Sequence, residues 1–424
     1  MEKIYLNNYK GFKNQFIQLD DINFLVGENS TGKTSFLKII NLLSKQEFWM
    51  GFEFNNSEVE LGYFNEIYNK KNPKKGKKKF QIGIERSLRR SRNSNRDLRL
   101  VLDFNEKQSI PNLFQVKARI GSFDVLIRFS DKQVRYWYKE SEKQDFKEWV
   151  TDLNTYGSFK ILKHPKNLPL FIILTLIENE IHDDSQRSMG FYNLEIFDNF
   201  KWIAPIRAKA KRIYESYKIK FSPEGNHIPS LLRKMLMDKD TATKNKIITI
   251  LENFGKQSNL FDEIIVKELG ERNVSPFEII IKYKNLEMKL PNVGYGVSQS
   301  LPLIIEILSS TRTVFSIQQP EVHLHPKAQS AFGSFLFNSV TNDNNRFIIE
   351  THSDFTINRL RYEILKNSEE IEAKIKSKVL FFERGDFGNT ITEMSIDKHG
   401  TFIGDIPNTY REFFIDEELK LLEL

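Results

Sequence analysis

Residues Gly27 to Thr34 read G-E-N-S-T-G-K-T, with an apolar stretch, Ile22 to Val26, before them and a helix-patterned stretch, Ser35 to Leu43, after them. In a strand, glycine-rich loop and helix of this kind, backbone N–H groups turn inward around phosphates. The lysine reaches the β- and γ-phosphates and the hydroxyl reaches Mg²⁺. Gly27 and Gly32 permit backbone angles that a Cβ would resist, and the helix N-terminus adds partial positive charge where an anion sits. The expected ligand is a nucleoside triphosphate with Mg²⁺. Gly27, Asn29, Ser30, Gly32, Lys33, Thr34 and Ser35 are expected to hold it, with Thr34 on the metal.

Two other apolar stretches that read as strands stop at polar clusters. Val314 to Ile317 runs into Q-Q-P-E-V-H-L-H-P, and Arg346 to Glu350 runs into T-H-S-D. A doubly wound α/β sheet presents its site in this way, at the carboxyl ends of its strands. A hydrolase of this kind normally has two carboxylates at the first such end. One holds Mg²⁺ through water and the other orients or deprotonates the attacking water. Gln318 and Gln319 stand there instead. An amide can accept a hydrogen bond from a metal-bound water, so Gln318 is kept as a metal-side residue, but it carries no charge and cannot take a proton. Three readings stay open. The chain is a weak or inactive hydrolase that uses the nucleotide as a switch, or Glu321 supplies the missing carboxylate, or position 318 carries an engineered Glu-to-Gln exchange that traps nucleotide. Glu321 lies two peptides beyond Gln319 and past a proline, which limits its reach.

His352 follows an apolar strand directly. It could hydrogen-bond a terminal phosphate and sense its loss, a role suited to a group titrating near neutrality, or be ordinary polar surface. His323, His325 and Glu321 could be read as metal ligands, since alternation along an extended chain puts both imidazoles on one side. Ser298, in G-Y-G-V-S-Q at 294 to 299, is placed to cap a helix over Ser298 to Ser310. Neighbouring N–H groups there could meet an anion, and a plain cap after a glycine turn is the alternative.

The elements that must position these residues read as α/β. Strands are expected at Lys3 to Leu6, Ile22 to Val26, Phe123 to Phe129, Gln133 to Tyr138, Ile264 to Lys267 and Phe277 to Tyr283, with a weakly alternating segment from Phe12 to Leu19. Helices are expected at Leu168 to Ile181, Ile228 to Met237 and Thr243 to Asn253. Three regions result: 1–45 and 201–424 as the two parts of an ATPase-like domain, and 46–200 as an α+β insertion. The insertion opens with seven lysines within Lys70 to Lys79, followed by six arginines up to Arg99. Such a run is most simply a solvated loop, with a nucleic-acid or protein-binding surface as the alternative. No sustained heptad array points to a long coiled-coil arm.

With 424 residues, 40% of them hydrophobic, the chain can bury one large core or two to three smaller ones, and is not disordered. The absence of cysteine excludes disulfides and thiolate metal sites. The longest apolar run, Leu168 to Ile177, is too short to span a bilayer, so a cytoplasmic location without membrane contact is expected. A net charge of +7 permits DNA as a partner without requiring it.

Five segments in fixed order resemble the ABC-type P-loop ATPases, and within them the OLD (overcoming lysogenization defect) class of AAA ATPases used in phage defence. They are G-E-N-S-T-G-K-T at 27–34, W-I-A-P-I-R at 202–207, G-Y-G-V-S-Q at 294–299, Q-P-E-V-H-L-H-P at 319–326 and E-T-H-S at 350–353. The resemblance implies an ABC-type head as the fold, with ATP and Mg²⁺ as ligands. It implies that Ser298 belongs to a signature motif acting in trans on the nucleotide of a second copy, giving a homodimer or higher homo-oligomer. It places His352 as a switch histidine, Gln318, Gln319 and Glu321 in the segment that carries hydrolysis, and H-L-H-P in the loop after it instead of around a metal. No nuclease domain is expected after E-T-H-S, so the effector is expected in a separate protein, as in PARIS-like or Septu-like systems. The alternative function is a DNA-maintenance ATPase of the SMC or recombination type that binds DNA through the basic insertion. Arg207 resembles a position near the ATPase core, with a surface arginine as the plain alternative. The closing stretch G-N-T-I-T-E-M-S-I-D-K-H-G, followed by Y-R-E-F-F, resembles the tail of some OLD-like ATPases and is expected to be strand-turn-helix scaffold and not site.

Overall fold

The computed structural model describes residues 2–70, 78–90, 94–142, 144–152, 157–163, 168–181, 194–215, 220–237, 240–271, 275–368, 375–386 and 388–414. Most of the lysine run, 71–77, lies outside them. The chain forms a mixed α/β fold of two compact units. The first comprises Met1–Asp20, Glu28–Asp198 and Phe382–Ile391, and the second Asp21–Gly27, Asn199–Phe381 and Thr392–Leu424.

In the first unit, strands β1 (Glu2–Asn7) and β2 (Gln15–Leu19) pair antiparallel. Strands β4 (Lys79–Arg90), β5 (Ser94–Lys107), β6 (Ile110–Ile120), β7 (Phe123–Phe129), β8 (Val134–Glu140) and β9 (Lys160–Ile161) extend the same sheet in the order β2-β1-β4-β5-β6-β7-β8-β9. Residues 46–200 therefore build directly onto the N-terminal strands, through β1 paired to β4. Strict alternation explains the sheet. The register row Ile4, Ile84, Leu100, Ala118 and Val125 is buried on one face. The next row, Lys3, Glu85, Arg99, Arg119 and Asp124, lies on the other face, with ion pairs of 2.8 Å (Lys3–Glu85), 2.5 Å (Arg99–Glu85) and 2.9 Å (Arg119–Asp124). Arg99 of β5 lies in this polar row opposite Glu85, where charge is compatible with sheet. Helices α1 (Lys33–Leu43), α2 (Gln46–Gly51), α3 (Phe64–Ile67), α4 (Phe146–Thr151) and α5 (Leu170–Ile181) complete the unit. Phe48, Phe54, Phe80 and Phe104 make successive ring contacts with centroids 5.1–5.7 Å apart. Such pairs add about 1 kcal/mol each beyond their burial.

The second unit contains β3 (Ile22–Gly27), β10 (Phe200–Ile203), β14 (Val314–Gln318) and β15 (Arg346–Glu350), parallel in the order β10-β14-β15-β3. The sheet continues through β16 (Ser377–Gly385), β17 (Gly388–Ile396) and β18 (Phe402–Ile403), and a three-stranded sheet joins β11 (Glu263–Glu268), β12 (Phe277–Tyr283) and β13 (Leu286–Lys289). Helices α6 (Ile228–Leu236), α7 (Thr241–Ser258), α8 (Tyr295–Leu308), α9 (Pro326–Asp343) and α10 (Asp354–Lys366) flank them. Phe24, Val26, Phe315, Ile317, Phe347 and Ile349 of the parallel strands share one core with Leu303, Ile307, Phe332 and Leu336. Their near-continuous apolar runs are those of strands covered on both faces. The longest described helices have 18 residues.

A buried ionic cluster ties α8 to β10. Glu306 accepts from Lys201 Nζ at 2.5 Å and meets His227 Nε2 at 2.5 Å. His227 Nδ1 accepts the Ser222 N–H at 3.2 Å, so Nε2 carries the proton given to Glu306. Burial alone would raise the Glu306 pKa, but the hydrogen bonds from His227 and Lys201 outweigh it and hold the carboxyl below its ordinary value. A depressed folded-state pKa contributes stability that is full above the unfolded value and is lost as pH falls through the folded one. Glu306→Gln is accordingly expected to cost about 2 kcal/mol at pH 7, in line with a broken buried charge network. The loss should shrink below about pH 4.3, the ordinary glutamate value. Urea unfolding at pH 7 and pH 4 measures this, and an equal loss at both would refute the assignment.

Candidate functional site

The parallel strands β3, β14 and β15 end together at Gly27, Gln318 and Glu350, along one edge of the sheet. From Gly27 the chain enters the glycine loop. Gly27 (φ 140°), Ser30 (φ 64°) and Gly32 (φ 103°) are left-handed, which winds the loop tightly into α1. Ser30 bears a Cβ there, at a cost of about 1–2 kcal/mol. Glu28, Asn29, Ser30 and Thr34 are exposed, Gly32 and Ser35 are half-buried, and Lys33 is buried. Lys33 Nζ donates to the Glu28 carbonyl at 2.7 Å and Thr31 Oγ1 to the same oxygen at 2.8 Å, closing the loop on itself. Helix α1 starts at Lys33, and no acidic residue occupies its first turn, so its positive end is unopposed from within the helix.

Other parts of the first unit brace the loop. Asn389 Nδ2 donates to the Thr31 carbonyl at 2.5 Å, Arg384 Nη2 to the Ser30 carbonyl at 3.3 Å, and Tyr9 Oη to the Ser35 carbonyl at 3.0 Å. A Cβ on Gly32 would meet Phe12 Cζ at 2.6 Å, so the glycine is required for packing as well as for φ. Asn389, at the start of the closing strand segment expected to be scaffold, touches the glycine loop itself. Nothing local in G-N-T-I-T marks this contact. It arises because the Asn389 N–H also pairs with the Gly11 carbonyl at 2.7 Å, which anchors the residue there.

In the second unit, Gln318 Nε2 donates to Glu350 Oε2 at 3.2 Å, and the Gln319 N–H to the Glu350 carbonyl at 2.8 Å. The buried carboxylate absent from β14 is thus present one strand over, on β15. The sequence alone does not mark Glu350 as a site residue, because only parallel register puts it beside Gln318. Gln319 (φ 43°) and His323 (φ 69°) are left-handed non-glycine residues at the turn after β14, a form of strain that concentrates at functional sites. Glu321 folds back across the same edge. Its Oε1 accepts the His352 N–H at 2.7 Å and its Oε2 accepts Thr351 Oγ1 at 2.9 Å, so it brackets the loops after β14 and β15. The His352 ring lies 5.9 Å from that of Phe413.

His325 caps α9, its Nδ1 accepting the Ala328 N–H at 3.3 Å, and the His323 ring lies 5.4 Å from Tyr295. The two imidazoles have separate tasks. Among the described residues no group of three His, Asp or Glu is placed to hold a metal ion. Ser298 departs from the cap expected of it. Helix α8 begins three residues earlier, at Tyr295, with Gly294 as N-cap, and Ser298 Oγ donates to the Tyr295 carbonyl at 3.3 Å inside the first turn. The Gly-Tyr-Gly run is compatible with a first helical turn, and sequence patterning starts the helix too late. Ser298 lines a cavity of about 330 Å³ together with Ala208, Lys209, Lys211, Asn226 and Pro302.

Arg207 also departs from the surface reading. It is 4% exposed.

No helix among the described residues is long and apolar enough to cross a membrane. No curated protein matches the chain significantly. Among solved structures, an Smc head bound to the C-winged helix domain of ScpA is similar at 12% identity and a TM-score of 0.47, covering 93% of this chain and 98% of that one. The SMC head domain from Thermotoga maritima is similar at 11% identity and TM-score 0.39, covering 92% and 97%. An Smc head domain with an extended coiled coil, bound to the C-terminal domain of ScpA derived from Pyrococcus furiosus, is similar at 12% identity and TM-score 0.40, covering 100% and 99%. The family model described as AAA ATPase domain, AAA_15, matches residues 1–357, and the chain belongs to that family.

Proposed function

We propose that the chain is an ATP-binding and ATP-hydrolysing ABC-type ATPase of the OLD-like class, closing as a dimer on nucleotide and regulating a separate effector in anti-phage defence. The observation that carries the nucleotide reading is the loop at 27–34, with left-handed Gly27, Ser30 and Gly32, a buried lysine and the unopposed start of α1. In this reading the loop amides and Lys33 hold the β- and γ-phosphates, Thr34 is the metal-side hydroxyl, and Asn29, Ser30 and Ser35 complete the contacts. The donor set suits Mg²⁺, which keeps several waters and needs only one or two carboxylates besides phosphate. Bound Mg²⁺ would neutralise charge on the phosphate oxygens. Glu350 supplies the charge for its water shell and Gln318 orients a water. Gln319, which cannot accept a proton, orients the attacking water without activating it, so turnover is slow. Glu321 holds the His352 loop in place, and His352 reports on the terminal phosphate.

Ser298 acting in trans is supported by its place in the first turn of α8, beside exposed Tyr295. The effector and the defence role rest on the resemblance of the five motifs. ATP and ADP binding by calorimetry, with sedimentation in each nucleotide, tests the core of the reading. ATP-dependent dimerisation is expected, and absence of ATP binding refutes it. Turnover beside Gln318→Glu then decides the hydrolytic question, with a clear rise expected for the variant and equal negligible rates excluding a trap at 318. Co-purification of a separate nuclease would support the effector arm. Salt-dependent duplex binding lost on neutralising the lysines of 70–79 would favour the DNA-maintenance alternative.

A further inference from the structure

Residues 208–215, the start of α6, strand β12 and the first turns of α8 surround the cavity of about 330 Å³ that Ser298 lines. Its walls are pinned by bonds of their own. The Arg207 N–H donates to Gln299 Oε1 at 3.2 Å and the Ala208 N–H to the Glu224 carbonyl at 2.7 Å, which hold one end of segment 207–215 to α8 and to the turn before α6. Tyr214 exchanges two backbone bonds with Phe277 of β12, at 2.9 and 3.0 Å, which hold the other end. Gly225 (φ 84°) lies so close to α8 that a Cβ would meet Pro302 Cβ at 3.1 Å, so the two helices cannot approach further at that point. Native interiors leave few voids larger than a water molecule, and a space of this size held open by contacts around its rim is suited to an occupant.

The chemistry of the lining says which occupant. The floor is apolar, from Ile228, Leu232, Ile279 and Leu301, each at most 3% exposed. The rim is cationic. Lys209 and Lys211 are exposed there, and neither is in an ion pair among the described residues, while Glu215 is the single carboxylate among the lining residues described. Helix α6 has no acidic residue in its first turn, so its start adds partial positive charge to the same rim. Pro302 lies inside α8 and has no N–H, so the Ser298 carbonyl at the cavity wall lacks its intrahelical donor and is open to one from an occupant. An apolar floor under a cationic rim selects for a ligand of two parts, an apolar body and an anionic group. A bare inorganic anion would leave the floor uncovered, and a neutral molecule would make no use of the lysines.

We propose that this cavity binds a small organic anion, its apolar body on Ile228, Leu232, Ile279 and Leu301 and its acidic group at Lys209 and Lys211. All of the lining belongs to the second unit, and the site does not depend on the nucleotide reading. Because α6 and α8 both form its walls, an occupant would fix the first turns of α8, and Ser298 with them, against α6.

Fluorescence titration of the full chain with 8-anilinonaphthalene-1-sulfonate, and with N-phenyl-1-naphthylamine, the same body without the sulfonate, tests it. In wild type a single saturable site is expected for each probe. Lys209→Gln combined with Lys211→Gln should weaken the sulfonate at least about tenfold, the scale of a charge-assisted contact, and change the neutral probe less than about twofold. Ala208→Phe, which adds a ring at the cavity wall, should weaken both probes at least about tenfold. Excess inorganic phosphate should leave the sulfonate bound. Thermal melts of each preparation check the fold, and should Ala208→Phe not fold, the two probes on the lysine variant decide. Absence of a saturable site in wild type, equal sulfonate affinity in wild type and the lysine variant, unchanged binding by folded Ala208→Phe, or displacement of the sulfonate by phosphate overturns the proposal. None of these outcomes bears on ATP binding.

Discussion

Lys33→Met is expected to weaken ATP binding by at least about a hundredfold, roughly 2.7 kcal/mol, with little loss of fold. The ammonium is buried and already reaches a carbonyl of its own loop at 2.7 Å, so it is held where the phosphates would arrive. A charge-assisted hydrogen bond to phosphate contributes about 1.5–3 kcal/mol, and Lys33 is expected to make two of them. Methionine keeps the buried stem and removes the charge, which separates binding from packing. Calorimetry with ATP and a thermal melt of the same preparation check the expectation. An affinity within about threefold of wild type would remove Lys33 from the site, and the nucleotide reading of the loop with it.

Glu350→Gln is expected to lower ATP turnover about a hundredfold and to raise the Mg²⁺ concentration needed for ATP binding, with binding in EDTA unchanged. The substitution preserves shape and leaves the strand ends of β14 and β15 with three amides and no charge, since Gln318, Gln319 and position 350 would then all be neutral. Its backbone carbonyl, which receives the Gln319 N–H, is untouched. Adding a carboxylate at 318 in the same background should restore part of the Mg²⁺ dependence. If Mg²⁺ titrations of wild type and Glu350→Gln coincide, the carboxylate on β15 does not serve the metal, and Glu321 becomes the candidate in its place.

Much of the second unit was legible because its apolar runs are long and end at polar clusters. The strands at 314–318 and 346–350 lie within a residue of their expected ends. Helices α9 and α10 were not anticipated. Helix α9 packs so closely on α10 that a Cβ at Gly333 would meet the Thr356 carbonyl at 2.6 Å, and small and polar residues on such a face carry a weak 3.6-residue signal. The β4–β6 strands were hidden by their arginines and lysines, whose alternation with apolar residues matters only once neighbouring strands supply the opposite charges.

The residues from Gly27 to Thr34 by themselves pointed to a phosphate loop and named the side chains expected to serve it, since that chemistry depends on local backbone geometry and a lysine at fixed spacing. Three further assignments required the tertiary structure. Glu350 stands beside Gln318 because two strands 32 residues apart run parallel in register. Asn389 braces Thr31 across 358 residues of chain. Arg207 is a buried cation and not a surface one because the turn after β10 folds under the start of α8. Each of these depends on long-range pairing and on which side of an element faces inward, and neither is encoded in the spacing of a short motif.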